Sequence, residues 1–302
     1  MSPEYNFIMI RPDWIRGKVA WGGNFNEVKE LLRDFGLHSV CVEASCPNRG
    51  ECWQERHVTF LIMGDICTRG CLFCDVKKGE PRGIDFREPG RIARAVGKLG
   101  IRYVVVTSVT RDDLYDKGAG HFAGTAREIK AYAPEATVEL LVSDLGAKKE
   151  FLEKVAFSGA EVIGHNIEMP ENLYGAVRPD SDYRTSLDTL KGLSGFKKKG
   201  ARILVKSAII AGLGEEKGDI FRTMRDLRSA GVDIVYIGQY LGPSGKHWPV
   251  KKYYSPDEFA YFEEKAREMG FGACLAGPMV RSSYRAYESF LACVKREQVL
   301  TR

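Results

Sequence analysis

Residues 58–76 read VTFLIMGDICTRGCLFCDV, a short apolar run followed at once by three cysteines. The apolar and β-branched residues of Val58–Gly64 predict a buried strand that ends on a glycine. Cys67, Cys71 and Cys74 then follow with C-x3-C-x2-C spacing in the next loop. This stretch therefore predicts a thiolate-rich site at the carboxyl end of a buried strand.

Five more strand patterns follow the first one, and amphipathic helical patterns lie between them. The predicted strands are Val58–Gly64, Tyr103–Thr107, Thr137–Leu141, Val162–Gly164, Ile203–Val205 and Ile234–Ile237. The predicted helices are Pro89–Leu99, Phe122–Ala131, Lys148–Phe157, Tyr183–Lys199 and Gly218–Ser229. Repeated βα units indicate an α/β fold with a parallel sheet covered by helices, either doubly wound or a barrel. Six units are fewer than the eight of a full barrel.

The two ends of the chain differ in pattern from this middle part. Before it we expect irregular chain, apart from one helix over Asn26–Phe35 that Asn26 caps. After it we expect one short strand and a final helix around Arg285–Glu297. The predicted division is into residues 1–55, 56–272 and 273–302.

The composition is that of an ordinary globular protein, with 44% hydrophobic and 28% charged residues among 302. The 45 basic residues exceed the 40 acidic ones by five, which is too few to indicate a nucleic-acid partner. The longest apolar runs are strand-sized, so neither a membrane span nor a signal peptide is predicted. We expect a cytoplasmic protein with no nucleic-acid and no membrane partner.

Polar side chains follow most of the predicted strands at their carboxyl ends, where parallel α/β folds place their chemistry. They are Cys67, Cys71 and Cys74 after the first strand, Ser108, Asp112, Asp113 and Asp116 after the second, His165, Asn166 and Glu168 after the fourth, Lys206 and Ser207 at the end of the fifth, and Gln239 and Tyr240 at the end of the sixth. This arrangement predicts an active site at one edge of the sheet.

Six of the eight cysteines form two triads: Cys41, Cys46 and Cys52, then Cys67, Cys71 and Cys74. A long chain in a reducing compartment uses clustered cysteines for metal binding or catalysis more often than for disulfides. Zinc sites usually collect four ligands from paired knuckles, a spacing that the second triad lacks. Three thiolates suit a four-iron cluster and leave one iron open for chemistry. Disulfides and a closed zinc or electron-transfer site remain the alternatives.

The C-x3-C-x2-C loop, with Phe73 before its last cysteine, resembles the signature of radical S-adenosylmethionine enzymes. The resemblance implies a partial (β/α)6 barrel of the TIM type, here with extensions at both ends. It also implies a four-iron cluster on Cys67, Cys71 and Cys74 that binds S-adenosylmethionine and cleaves it to methionine and a 5′-deoxyadenosyl radical. The cofactor then carries the reactivity, so no side chain is expected to act as a catalytic acid or base.

The upstream triad, CVEASCPNRGEC, has C-x4-C-x5-C spacing and resembles the lipoyl synthase family. Further stretches match that family in order: GDICTRGCLFCDV, TSVTRDDL, GHNIE, VRPDSDYRTSL, GLGEE, QYLGPSGKHWPV and GPMVRSSYRA. The resemblance implies an auxiliary four-iron cluster on Cys41, Cys46, Cys52 and a serine of the RSSY motif. We assign that ligand to Ser283, with Ser282 as the alternative.

The resemblance also implies a reaction, in which two sulfur atoms enter an octanoyl chain on a lysine of a carrier domain. Two S-adenosylmethionine molecules are used, and the auxiliary cluster donates the sulfur. The implied partners are octanoylated carrier domains (E2 subunits or the glycine-cleavage H protein) and an electron donor such as ferredoxin or flavodoxin. The alternatives are another sulfur-inserting enzyme of this superfamily, similar to biotin synthase or to methylthiotransferases, and a non-catalytic electron carrier or zinc-binding protein.

Residues for the S-adenosylmethionine contacts follow from the same resemblance. The methionine part is expected at Thr107 and Ser108, with its carboxylate on Arg178, the ribose hydroxyls on Asn166 and Glu168, and the adenine near Phe73, Gly212 and Gly214.

Overall fold

The structure, a computed structural model, describes residues 10–17 and 22–300, and for residues 297–300 the backbone alone. Residues 1–9, 18–21 and 301–302 lie outside the described ranges, and with them part of the segment predicted to be irregular. The strands are β1 His38–Ser39, β2 Thr59–Ile62, β3 Ile66–Cys67, β4 Lys77–Lys78, β5 Tyr103–Ser108, β6 Thr137–Leu141, β7 Val162–Gly164, β8 Leu204–Ala211, β9 Ile234–Gln239 and β10 Ala273–Gly277. The helices are α1 Gly23–Asp34, α2 Val40–Glu43, α3 Arg49–Gln54, α4 Glu88–Leu99, α5 Ala119–Tyr132, α6 Lys149–Ala156, α7 Glu171–Val177, α8 Tyr183–Lys197, α9 Lys217–Ser229, α10 Pro256–Glu268 and α11 Ala286–Leu300.

One eight-stranded sheet runs in the order β1-β2-β5-β6-β7-β8-β9-β10. Its neighbours pair in parallel from β2 to β10, and β1 pairs with β2 in the antiparallel sense. Strands β3 and β4 form a separate parallel pair on either side of the cysteine loop. The predicted α/β class with a partial barrel is therefore confirmed. Parallel pairing places the carboxyl ends of seven strands at one edge of the sheet.

The six predicted βα units are followed by a seventh parallel strand. The short strand expected in the tail is β10, and it pairs with β9 from Ala273 opposite Ile234 to Gly277 opposite Gly238. Its sequence, ACLAG, is short and built from small residues, so periodicity does not show that it belongs to the main sheet. The division of the chain at residue 272 stays a prediction.

The predicted end of the fifth strand was wrong. Strand β8 continues to Ala211, so Lys206 and Ser207 lie within it and not at its carboxyl end. Both side chains are buried, with exposures of 2% and 0%. Lysine side chains are rarely buried, so a lysine after an apolar run predicts that the buried strand has ended.

The first 55 residues also differ from the prediction. Helix α1 begins at Gly23 after Gly22, and Asn26 lies in its first turn, where its N–H bonds to the Gly22 carbonyl, so Asn26 is not the cap. The two short helices α2 and α3 occupy chain that was predicted to be irregular. Each is a turn or two long, too short for helical periodicity to appear in the sequence.

Most side chains of the sheet pack into two separate cores, while Leu61 of β2 belongs to a small third cluster with Val76 and Val109. Val104 and Val106 of β5 pack in the main core with the surrounding helices, whereas Tyr103 and Val105 point the other way. That second, interior core includes aromatic side chains of α11. The Tyr103 ring centre lies 5.7 Å from that of Tyr287 and 5.9 Å from that of Phe290. The last helix therefore packs against the inner face of the sheet.

A buried ion pair lies within this interior. The Lys206 ammonium donates to both carboxylate oxygens of Glu139 at 2.9 Å, and the Tyr103 hydroxyl donates to the same carboxylate at 2.5 Å. The Lys206 ammonium also lies 4.3 Å from the ring centre of Tyr236. Burial lowers the pKa of Lys206, and the Glu139 carboxylate opposes that shift. The Lys206 ammonium and the Glu139 carboxylate thus compensate each other for the cost of burial.

Replacing one member of this pair leaves the other charge without its partner. We expect Lys206→Met to lower the free energy of unfolding by about 3–5 kcal/mol, because the Glu139 carboxylate then stays buried and uncompensated. Adding Glu139→Gln to that variant should recover part of the loss. Anaerobic urea unfolding measures both variants, and a double variant less stable than Lys206→Met would contradict the argument.

Candidate functional site

The second cysteine triad lies in the loop between β3 and β4. The Cys67 thiol accepts hydrogen bonds from the backbone N–H groups of Thr110, at 3.3 Å, and Arg69, at 3.5 Å. The charge of the nearby Arg178 guanidinium opposes the rise that burial causes in the pKa of the Cys71 thiol. Cys74 donates its N–H to the Cys71 carbonyl at 3.3 Å, which keeps the second half of the loop in a tight turn. Neighbouring strands therefore fix the loop through its sulfur atoms and its backbone.

An arginine within this loop anchors it to two strand ends. Arg69, 9% exposed, donates to Asp112 at 2.7 and 3.0 Å and forms a bidentate ion pair with Asp144. Burial alone would raise the pKa of Asp144, but the hydrogen bonds and charge of Arg69 outweigh it and hold that pKa well below its usual range. Bidentate arginine–carboxylate pairs are among the most geometrically specific polar contacts. The sequence analysis did not single out Arg69 or Asp144.

Arg178 and Glu168 form a second polar group under the same loop. Arg178 is 8% exposed, donates to the Tyr174 hydroxyl at 3.0 Å and to the Ile167 carbonyl at 3.3 Å, and its Nε has no partner among the described residues. Glu168 has a positive φ of 66° and hydrogen-bonds with the Asn166 side chain. Burial raises the pKa of Glu168, and the nearby Arg178 opposes this shift. A non-glycine residue held at positive φ is strained, a feature that collects at functional sites.

The first triad lies beside the carboxyl-terminal RSSY motif. Cys41, Cys46, Cys52 and Ser283 all line one small cavity of about 40 Å³, whereas Ser282 does not line it. Two long-range hydrogen bonds join the segments there. The Asn48 amide donates to the Met279 carbonyl at 2.6 Å, and the Thr59 hydroxyl donates to the Ser283 hydroxyl oxygen at 2.9 Å. The structure thus brings the predicted serine to the three predicted cysteines.

A glycine of β9 makes room for the serine loop. A Cβ on Gly238 would lie 2.1 Å from the Val280 carbonyl oxygen, a distance that real Cβ atoms do not reach. Val280 precedes the RSSY motif directly, and its N–H bonds back to the Gly277 carbonyl at 3.1 Å. Only a residue without a side chain allows this approach, so Gly238 sets how close the loop lies to the sheet.

A larger cavity of about 410 Å³ lies between the two triads. Its lining includes Phe73 and Cys74 of the second cysteine loop and, from the first triad and the RSSY motif, Cys41, Cys46, Ser282 and Ser283. The remaining wall includes Asn166, Glu168, Ala208, Ile209, Tyr236, Val280 and Arg281. One cavity is therefore in contact with cysteines of both triads.

The donor sets suit iron–sulfur clusters. Burial raises the pKa of Cys46, Cys52 and Cys71, and it raises that of Cys74 to about 12. A metal centre deprotonates a coordinating thiol outright, which offsets this cost of burial. Within the described ranges no group of three or more histidine, cysteine, aspartate or glutamate side chains is arranged to hold a single metal ion. The cysteines of the first triad instead share the wall of a cavity.

Comparison with known families identifies the chain. Residues 61–227 match the radical SAM superfamily, and residues 8–46 match the N-terminal domain of lipoyl synthase. The chain is 46% identical to the lipoyl synthase of Rubrobacter xylanophilus over 92% of its own length and 86% of that protein. It is 47% identical to the lipoyl synthase of Caldicellulosiruptor bescii, covering 91% of this chain and 94% of that one. The chain belongs to the lipoyl synthase family.

Solved structures of other proteins share the fold of this chain at low sequence identity. The FeFe-hydrogenase maturase HydG superposes with a TM-score of 0.58 at 12% identity, covering 78% of this chain and 54% of HydG. SuiB of Streptococcus suis gives a TM-score of 0.55 at 13% identity, covering 89% and 58% of the two chains. The fold of this lipoyl synthase family member is therefore shared by proteins of very different sequence.

Not all residues expected to contact S-adenosylmethionine line the large cavity of this lipoyl synthase family member. Phe73, Asn166 and Glu168 do, whereas Thr107, Ser108, Arg178, Gly212 and Gly214 lie outside its lining. The Thr107 hydroxyl donates to the Leu141 carbonyl at 3.0 Å. The Gly212 and Gly214 N–H groups donate to the Glu215 carboxylate at 2.6 and 3.1 Å. The assigned binding roles stay predictions.

The sequence analysis missed residues whose partners are distant along the chain. Arg281 lines both cavities, Tyr236 lines the large one, and Thr59 contacts the predicted serine ligand. Arg281 could have been found, because it belongs to the RSSY motif that was already quoted. Thr59 and Tyr236 carry no such signal, since each lies in an ordinary strand pattern.

His165 provides a test of the buried polar groups in this family member. It is 3% exposed, its Nδ1 lies 3.0 Å from the Val142 carbonyl oxygen, and burial lowers its pKa to about 4. Between pH 7.5 and 5.5 the unfolded chain gains a proton on this histidine and the folded chain does not. We therefore expect the wild type to lose about 1 kcal/mol of stability over that range relative to His165→Asn. Urea unfolding at both pH values measures this, and equal losses in the two proteins would contradict it.

Proposed function

We propose that this chain inserts two sulfur atoms, at C6 and C8, into an octanoyl group attached to a lysine of a carrier domain. The observation that carries the proposal is the cavity of about 410 Å³ that Cys41 and Cys46 of the first triad and Cys74 of the second both line. A chain of eight carbons lying there can face both groups without leaving the protein. Membership of the lipoyl synthase family supports the same reaction.

Cys67, Cys71 and Cys74 would hold one four-iron cluster, to which S-adenosylmethionine binds. Bound together, the two supply a radical able to take hydrogen from an unactivated carbon, and two S-adenosylmethionine molecules serve the two carbons. Arg69 keeps this loop in place through Asp112 and Asp144. The loop is thereby rigid before any ligand binds, which favours precise positioning.

The remaining roles toward S-adenosylmethionine follow the sequence prediction. Asn166 and Glu168 line the cavity and would bind the ribose hydroxyls. The buried Nε of Arg178 without a partner supports this residue as the donor to the methionine carboxylate. Thr107 and Ser108 for the methionine part, and Phe73, Gly212 and Gly214 for the adenine, are retained as proposals.

Cys41, Cys46, Cys52 and Ser283 would hold the auxiliary four-iron cluster, which would supply the sulfur. The small cavity that these four residues line supports Ser283 over Ser282. A serine oxygen is a harder and weaker partner for such a cluster than a thiolate. A weakly held position suits a cluster that must give up its sulfur.

The wall of the large cavity suits an alkyl chain. Ala208, Ile209 and Val280 contribute apolar surface to it, and Tyr236, which belongs to the interior core, lines it as well. Apolar side chains in contact with a reactive carbon displace water from it. The protein thus orients the chain and protects it, and no side chain has to act as an acid or base.

The specific partners are proposals that rest on the family. Octanoylated carrier domains of E2 subunits or of the glycine-cleavage H protein are the proposed substrates, and ferredoxin or flavodoxin is the proposed electron donor. The described part of the chain contains no helix long and apolar enough to cross a membrane. The cytoplasmic location and the division into residues 1–55, 56–272 and 273–302 are likewise proposed.

An anaerobic single-turnover assay tests the reaction. Protein reconstituted with both clusters is mixed with an octanoyl-lysine peptide, S-adenosylmethionine and a strong reductant. The mass of the peptide is then measured by mass spectrometry. We expect 5′-deoxyadenosine and a peptide that gains two sulfur atoms and, as the disulfide, loses two hydrogens. Formation of 5′-deoxyadenosine with an unchanged peptide would reject the substrate, and the absence of both would reject the enzyme.

Single substitutions separate the two proposed clusters. Cys71→Ala should abolish 5′-deoxyadenosine, because a ligand of the S-adenosylmethionine cluster is lost. Ser283→Ala should still form 5′-deoxyadenosine but insert sulfur at less than about a tenth of the wild-type yield. Ser282→Ala is the matched control and should insert sulfur normally. The reverse result for the two serines would transfer the ligand role to Ser282.

A further inference from the structure

Thr59 makes a side-chain contact with the proposed serine ligand. It is the first residue of β2, it is 5% exposed, and its hydroxyl donates to the Ser283 hydroxyl oxygen at 2.9 Å. The two residues are 224 positions apart in the sequence. Both line the small cavity together with Cys41, Cys46 and Cys52. The hydroxyl of Thr59 is therefore part of the immediate surroundings of the auxiliary site.

The backbone of Thr59 is fixed on both sides. Thr59 is paired with Val105 of β5, and its carbonyl accepts a hydrogen bond from the Ser39 hydroxyl at 2.8 Å. The threonine is thus a rigid point, and the serine lies on a loop that approaches it from the other end of the chain. Thr107 of β5 provides a contrast, because its hydroxyl donates to a backbone carbonyl of the next strand. Thr59 donates instead to a side chain.

The Thr59 hydroxyl is within hydrogen-bond distance of the Ser283 oxygen and can act as the donor that a serine ligand needs. A serine oxygen bound to iron has no proton left and can only accept hydrogen bonds. Hydrogen bonds to a charged oxygen are shorter and stronger than those between neutral groups. A group that hydrogen-bonds to a metal ligand orients that ligand and changes how strongly it binds the metal.

We propose that Thr59 is a positioning residue of the auxiliary site, whose hydroxyl holds the Ser283 oxygen toward the three cysteines and stabilises it as a ligand. This inference rests on the proposed function, which assigns Ser283 as the ligand. Thr59 acts through Ser283 and touches neither the substrate nor the reacting carbon.

The test measures how fast the auxiliary cluster loses iron. The full chain is prepared with Cys67→Ala, Cys71→Ala and Cys74→Ala, so that the auxiliary cluster is the one that remains, and iron release to a chelator is followed anaerobically by absorbance. Thr59→Val keeps the shape of the side chain and removes the donor. We expect it to release iron about 10- to 100-fold faster than the parent. Thr59→Ser keeps the donor and should stay within about twofold of the parent.

A second pair of variants separates ligand stabilisation from a general packing role. Ser283→Cys supplies a stronger ligand for iron that does not need the donor. Adding Thr59→Val to it should change the iron-release rate by less than about twofold. The same acceleration in both backgrounds would show that Thr59 only supports the fold, and this would overturn the inference.

The Ser283→Ala variant distinguishes the two levels of the argument. If it releases iron rapidly and Thr59→Val behaves like the parent, Ser283 remains the ligand and the role of Thr59 is rejected. If Ser283→Ala also behaves like the parent, the ligand assignment itself fails, and the role of Thr59 fails with it. Rapid release by both variants, with the parent rate in Thr59→Ser, is the expected result.

Discussion

The two ends of this chain must meet on the inner side of the sheet, and a few hydrogen bonds hold them there. The Asn48 side chain donates to the Met279 carbonyl at 2.6 Å across 231 positions of sequence, and Thr59 reaches Ser283 nearby. Cys41 and Cys52 lie on two short helices before the barrel, Cys46 lies in the short segment between these helices, and the serine lies on a loop after the barrel. Without these contacts nothing would hold the three cysteines beside Ser283, the residue proposed to complete their site.

Buried charge organises the rest of the site. Arg69 ties the second cysteine loop to two strand ends, while Lys206 and Glu139 neutralise each other in the interior. Such pairs add little net stability, because the cost of removing both charges from water is large. Their geometry is specific, however, and it fixes the strands on which the cavity walls stand. The polar groups thus position parts of the molecule, and the two apolar cores stabilise it.

The sequence predicted what local pattern and spacing can show. Thr137–Leu141 and Val162–Gly164 are strands with the predicted bounds, and both triads were found from cysteine spacing alone. The length of β8 was missed because Lys206 is balanced by Glu139, a partner 67 positions away. The ligand serine needed the family resemblance, and Thr59 could not be predicted, since its role depends on a contact that exists only in the folded chain.

The meeting of these two segments, the first triad and the serine loop, has a consequence for the proposed use of the auxiliary cluster as the sulfur donor. On the proposed ligand set, a bound auxiliary cluster is a cross-link that closes a loop of more than 200 residues, and such a link removes much of the freedom of the unfolded chain. Loss of the auxiliary cluster would remove this cross-link. The spent protein then depends on its hydrogen bonds and on the packing of its apolar cores. On this proposal each turnover would end in a fold of lower stability, which rebuilding of the cluster would restore.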